Sequence, residues 1–170
     1  MSLIKKILTI ICVFFITSLN NISAQEIKKI GKYKNWEAMT LFENEKKVCF
    51  AQSTPILQTP KSNKRDAKLF VAFRPYENIS NEVSVTPGYE FNKGNSVVAS
   101  SGKKKFIFDI KEQGFAWIAD NKIELKMIKQ MKKGSRLMVT GYNQQGSQTR
   151  DNYSLLGFTK AYNASKKACS

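Results

Sequence analysis

Residues 97–119 read VVASSGKKKFIFDIKEQGFAWIA. Three apolar runs stand in this stretch, Val97 to Ala99, Phe106 to Ile110 and Phe115 to Ala119, and each is only three to five residues long. Runs of that length, rich in Val, Ile and aromatic side chains, suit a pleated strand and are too short for a helix. The Ser101–Gly102 pair supplies a turn between the first two. The same grammar extends in both directions, through Val48 to Ala51, Leu69 to Phe73 and Val83 to Val85 upstream and Leu137 to Tyr142 downstream. Turn chemistry at Pro60 to Asn63, Pro87–Gly88, Lys93–Gly94–Asn95 and Gln144 to Ser147 separates them at spacings typical of a sandwich.

One segment departs from this pattern. Ile123, Met127 and Met131 recur every four residues, Asn121 stands where a helix cap belongs with Glu124 closing a capping box, and Lys132 and Lys133 precede Gly134. This predicts an amphipathic helix over 122–133, with its Met stripe turned to the core. A second short helix is expected over Thr159 to Ser165, leading Cys169 back toward the body. The expected architecture is therefore mainly β: a single-domain antiparallel β-sandwich with one or two short helices, spanning residues 25–170.

Residues 1–24 have the layout of a secretory signal, with Lys5 and Lys6 ahead of an apolar run from Ile7 to Leu19 and a small residue, Ala24, at the end. The run is shorter than the roughly 18 residues a spanning helix needs, so export is expected, to the periplasm or cell surface. Cleavage removes Cys12 and leaves Cys49 and Cys169 in an oxidising compartment, where a disulfide between them is expected. A loop of that length is worth about 4–5 kcal/mol by chain entropy.

The composition excludes much chemistry. With no histidine among 170 residues, Ser-His-Asp and Cys-His triads, zincin motifs and imidazole-ligated metals are ruled out. The net charge is +15, and loss of residues 1–24 leaves +13. Only Arg65, Arg74, Arg136 and Arg150 among the 28 basic residues are arginine, which argues against a reader of phosphates and bases, as does the lack of aromatic-basic interleaving. No nucleic-acid partner is expected. The lysines, spread from Lys28 to Lys167 with clusters at Lys103–Lys105 and Lys132–Lys133, describe either a solvated surface or a basic face for anionic envelope polymer or lipid head groups.

Catalysis without histidine requires carboxylates, a Ser-Lys pair or a metal, and the candidate acids are Asp109, Glu112, Asp120, Glu124 and Asp151. Positions at strand ends and helix caps give these acids structural uses, and no phosphate loop, calcium loop or nucleophile elbow is present. No catalytic residue, metal ligand or cofactor is assigned.

The C-terminal half carries the most specific signal: Met131-Lys-Lys-Gly-Ser135, Val139-Thr-Gly141, Gly146-Ser147, Thr149, Asp151, Tyr153-Ser-Leu155, Gly157-Phe-Thr159 and Ala161-Tyr162. With Trp36, Cys49, Ser53, Pro55, Arg74-Pro75, Gly88-Tyr89, Phe91 and Ala116-Trp117, it resembles the invasion-associated locus B family of exported bacterial proteins. A further Cys that many members carry soon after the first Trp is missing here. The resemblance implies a compact β-rich domain, a periplasmic or surface location, a role in host-cell entry for members from intracellular pathogens, and no catalytic residues. Within its motif, Gly141, Gly146 and Gly157 suit a tight hairpin and close backbone approach. Thr149, Asp151, Tyr153 and Ser154, with Arg74, form a candidate polar patch that either satisfies buried backbone groups or lines a recognition surface, and an Arg74–Asp151 pair serves either use. Trp36 and Trp117 are expected in the core. The leading expectation is a non-enzymatic protein that binds an anionic envelope polymer, a membrane surface or a host-cell surface. The alternatives are a hydrolase using a carboxylate or Ser-Lys pair, and a chaperone-like envelope factor.

Overall fold

A computed structural model describes residues 26–170; the expected signal peptide, 1–24, lies outside the described residues. Twelve strands follow in order among them: β1 (Lys28–Tyr33), β2 (Trp36–Glu43), β3 (Lys46–Ser53), β4 (Leu57–Thr59), β5 (Lys68–Arg74), β6 (Ile79–Thr86), β7 (Val97–Ser101), β8 (Lys104–Phe108), β9 (Ile110–Glu112), β10 (Phe115–Trp117), β11 (Arg136–Tyr142) and β12 (Gln148–Ser154). Two helices, α1 (Asn121–Lys133) and α2 (Phe158–Ala168), complete the domain.

All pairings are antiparallel and make two sheets, one of seven strands in the order β1-β2-β3-β5-β6-β10-β9 and one of five in the order β4-β12-β11-β7-β8. The strand expected over Phe106 to Ile110 divides. β8 ends at Phe108 in the smaller sheet, and β9 begins at Ile110 in the larger one. Asp109 makes this corner, its carboxylate accepting the Ala119 N–H at 2.9 Å.

Period-two alternation turns Leu69, Val71 and Phe73 of β5, and Val83 and Val85 of β6, into the space between the sheets, where they meet Val97, Ala99, Phe106, Phe108, Leu137 and Val139 of the smaller sheet. Trp36 is fully buried. Its indole N–H donates to the Ser154 carbonyl at 2.8 Å, and its ring packs on Phe158 at 4.8 Å between centroids, so the start of β2 is fixed to the end of β12 and the start of α2. Trp117 differs from expectation. Ala116 and Ile118 take the inward positions of that segment, and Trp117, half-buried on the outer face, stacks on Phe115 at 5.6 Å.

α1 packs on β6 and β8, and α2 packs on β1, β2 and β3. The N-cap of α1 is Asp120, not Asn121: the Asp120 carboxylate accepts the Lys122 N–H at 2.7 Å. Nor does Glu124 close a capping box; its carboxylate accepts the Val83 N–H at 2.7 Å, a backbone donor beyond the last β6–β10 pair at Ser84. Cys49 on β3 and Cys169 at the C-cap of α2 form a disulfide, with Cα atoms 5.8 Å apart. Lys47 reinforces this junction by donating to the Ala168 carbonyl at 2.7 Å.

Candidate functional site

Alternation along β12 turns Thr149, Asp151 and Tyr153 inward. Asp151 does not meet Arg74. Its partner is Arg65, in the connection between β4 and β5, whose Nη2 and Nη1 donate to the two carboxylate oxygens at 2.6 and 3.0 Å. Arg74 lies at the end of β5 and pairs with Glu43 at 2.6 Å and Glu82 at 3.6 Å. The segments fit their neighbours: an inward strand position leaves Asp151 no path to the outward side chain of Arg74. Burial works against the Arg74 charge, but Glu43 and Glu82 outweigh it and hold its pKa above the ordinary value.

Around Arg65–Asp151 most polar groups satisfy one another, the buried Arg65 Nε being the exception without a hydrogen-bond partner among the described residues. Gln58 donates to Asp151 at 3.3 Å and accepts the Arg65 N–H at 3.0 Å, Arg65 donates to the Pro87 carbonyl at 3.2 Å, and its guanidinium lies 5.6 Å from the Tyr89 ring centre. The Tyr89 and Thr149 hydroxyls share a hydrogen bond, and burial raises the pKa values of the Tyr89 and Tyr153 phenols. The hollow bounded by Thr149, Asp151 and Tyr153 has no room for a water-sized molecule. Ser154 is also buried and accepts the Leu156 N–H at 3.3 Å. Gly141 keeps this region closed by admitting Phe91, whose Cε1 would lie 2.9 Å from a Cβ there.

The open ground lies elsewhere, in a groove of about 760 Å³ between β8 and α1. On α1, the buried Glu124, Met127, Ile128 and Met131 leave Lys122, Lys126, Lys129 and Lys133 along an outward stripe. On β8, the inward Phe106 and Phe108 leave Lys105 and Ile107 outward. The result is a groove with lysines on both banks, Lys104 and Lys105 facing Lys126, Lys129 and Lys133, over a floor of Phe106, Ile107, Ile118 and Ile123. None of these five lysines belongs to a salt bridge among the described residues. Asp109 and Asp120 stand at one end, but both carboxylates are engaged by backbone amides. Lysine clusters were visible in the sequence; the pairing of Lys104–Lys105 with a helical lysine stripe was not, although the i, i+4, i+7 spacing of Lys122, Lys126 and Lys129 carried that signal.

Of the remaining acids, Glu112 is exposed on β9 and Glu124 is buried. Both border a hollow of about 460 Å³ that also includes Glu82. Burial pushes the Glu124 carboxyl up to about 7, against the Val83 N–H bond, with Glu82 and Asp120 adding to the rise.

A sandwich of seven and five antiparallel strands, with its C-terminal helix fastened by a disulfide, defines a compact β domain carrying a basic groove on its surface. The chain belongs to the family described as Invasion associated locus B (IalB) protein, which matches residues 36–166. It is similar in fold to the crystal structure of invasion associated protein B from Bartonella henselae, with a TM-score of 0.56 and 15% identity, over 86% of this chain and 97% of that one. No curated protein matches the chain. No helix among the described residues is long and apolar enough to cross a membrane.

Proposed function

We propose that the protein is exported and non-enzymatic, an envelope or surface protein of the invasion-associated locus B type that holds an anionic envelope polymer or an anionic cell surface. The groove between β8 and α1 carries this reading, because it gathers five lysines that belong to no salt bridge among the described residues. Burying or crowding like charges costs energy that a bound anion returns, and the attraction reaches about 8–10 Å at physiological ionic strength. The signal-like residues 1–24 support export. Support for a non-enzymatic role comes from the acids: Asp109 and Asp120 end backbone segments, Asp151 is consumed by Arg65, and Glu124 serves Val83.

The test is retention of protein comprising residues 25–170 on peptidoglycan, lipopolysaccharide and whole cells, with a salt gradient. Retention on at least one anionic matrix that salt releases is expected. Passage through all three at low salt, or hydrolysis of any of them, overturns the reading.

A further inference from the structure

We infer that the β8–α1 groove is a seat for an anionic lipid at a bilayer surface, taking its acyl portion on the apolar floor and its head group between the lysine banks. The inference rests on the surface-binding reading above and goes further by naming the ligand. Two properties of the groove define its ligand, the first selecting an anion and the second a lipid over a hydrated polymer. First, its charge is predominantly positive: five lysines with no salt-bridge partners among the described residues outnumber the two aspartates at one end, whose carboxylates accept backbone amides. Second, its floor is apolar. Ile107 is 57% exposed in the middle of β8, with Ile123 half-buried beside it and Phe106 and Ile118 beneath, so water now covers surface that an acyl chain would dry. A polyanion whose whole length is hydrated gains nothing from that floor.

The lysines complete the amphipathic shape. Their aliphatic stems extend the apolar walls while the ammonium groups stay at the rim, the arrangement by which long cationic side chains meet a head-group layer. Leu125, 48% exposed on the outer face of α1, adds an apolar point beside the same lysine stripe. The volume, about 760 Å³, falls in the range of about 300–1,000 Å³ usual for small-molecule sites.

The experiment is flotation with vesicles of phosphatidylcholine alone and of phosphatidylcholine with phosphatidylglycerol, alongside retention on immobilised dextran sulfate. Three proteins besides the wild type decide it: Lys126→Gln/Lys129→Gln in the groove, Lys160→Gln/Lys167→Gln on exposed positions of α2, and Ile107→Ser. All five positions are exposed, and unchanged thermal melting checks the fold of each variant. At about 1 kcal/mol per lysine near an anionic surface, the groove pair should weaken binding to the anionic vesicles by about 30-fold. The α2 pair should change it by no more than about twofold, since neither lysine lines the groove. Ile107→Ser should weaken vesicle binding several-fold and leave dextran sulfate retention unchanged. Equal losses for the two lysine pairs, or an unchanged affinity of Ile107→Ser for vesicles with dextran sulfate retained, overturns the lipid seat and leaves the anionic-surface reading standing. Absence of binding to both vesicles and dextran sulfate removes both.

Discussion

Arg65 and Asp151 meet through two parallel hydrogen bonds of 2.6 and 3.0 Å, with each side chain only 4% exposed. The pair joins the connection before β5 to the middle of β12, and so clamps the edge of the smaller sheet to the chain entering the larger one. Removing one member of such a pair leaves an uncompensated buried charge. Arg65→Met and Asp151→Leu are each expected to lower the unfolding free energy by about 3–5 kcal/mol, while the double variant loses less than either single. Urea denaturation of the three variants measures this. Single variants within about 1 kcal/mol of wild type would show that the pair contributes little.

Gly157 is expected to be the least replaceable glycine. Its φ is +96°, and a Cβ would stand 1.8 Å from the Tyr33 carbonyl oxygen and 2.6 Å from its carbon. The β1–β2 turn and the start of α2 approach this closely because Asn35 N–H donates to the Leu156 carbonyl at 3.2 Å. Gly157→Ala should cost at least about 4 kcal/mol or abolish folding. Gly146 also has a positive φ, +81°, but nothing lies within 4 Å of its added Cβ, so Gly146→Ala should cost only about 1 kcal/mol. Thermal melting of the two variants, compared side by side, checks the contrast; similar losses would refute the steric argument.

The two glycines also show what a sequence can reveal. Both were legible as turn or close-approach positions, but which one faces a backbone atom depends on how a distant hairpin docks. Strands with apolar inward positions, such as β5, β7 and β11, were legible from alternation, as were α1 and α2. β12 was not: its inward residues are Thr149, Asp151 and Tyr153, so the alternation is polar and fits buried structural groups as well as a recognition patch. β1 and β2 escaped for different reasons. β1 is a lysine-bearing edge strand, and β2 carries apolar residues on both faces because Met39 and Leu41 pack outside with Val48 and Phe50. The same two-sided sheet explains Trp117, whose parity with Phe115 rather than hydrophobicity decided its face. Arg74 and Arg65 were indistinguishable as partners for Asp151 without the register of β4 on β12.

The Cys49–Cys169 disulfide should be structural and separate from binding. It ties the end of α2 to β3, whereas the lysine groove is built from β8 and α1. Cys169→Ser is expected to destabilise by up to about 4–5 kcal/mol and lower the Tm, with retention on anionic vesicles intact at temperatures where the variant is folded. Calorimetry and flotation of the same preparation test both halves. A folded variant that no longer binds would place the C-terminal tail in the site.

Glu124 predicts an unusual pH dependence. The buried carboxyl, pushed up to about 7 from the ordinary 4.5, binds its proton more tightly in the folded than in the unfolded chain. Its contribution to stability is therefore fully present below about pH 4.5 and is lost as pH rises through about 7, the reverse of a paired carboxylate. The full loss corresponds to about 3 kcal/mol, and about 2 kcal/mol of it should fall between about pH 5 and pH 8. Glu124→Gln keeps an oxygen to accept the Val83 N–H but cannot ionise. Relative to wild type, the variant should gain stability as pH rises across that window, and at about pH 8 it should be the more stable protein. Urea midpoints for both proteins at the two pH values give the double difference, in which every other titrating group cancels to first order. An identical pH slope in the two proteins would mean that Glu124 titrates alike folded and unfolded, and that its burial at the α1–β6 junction does not hold the proton.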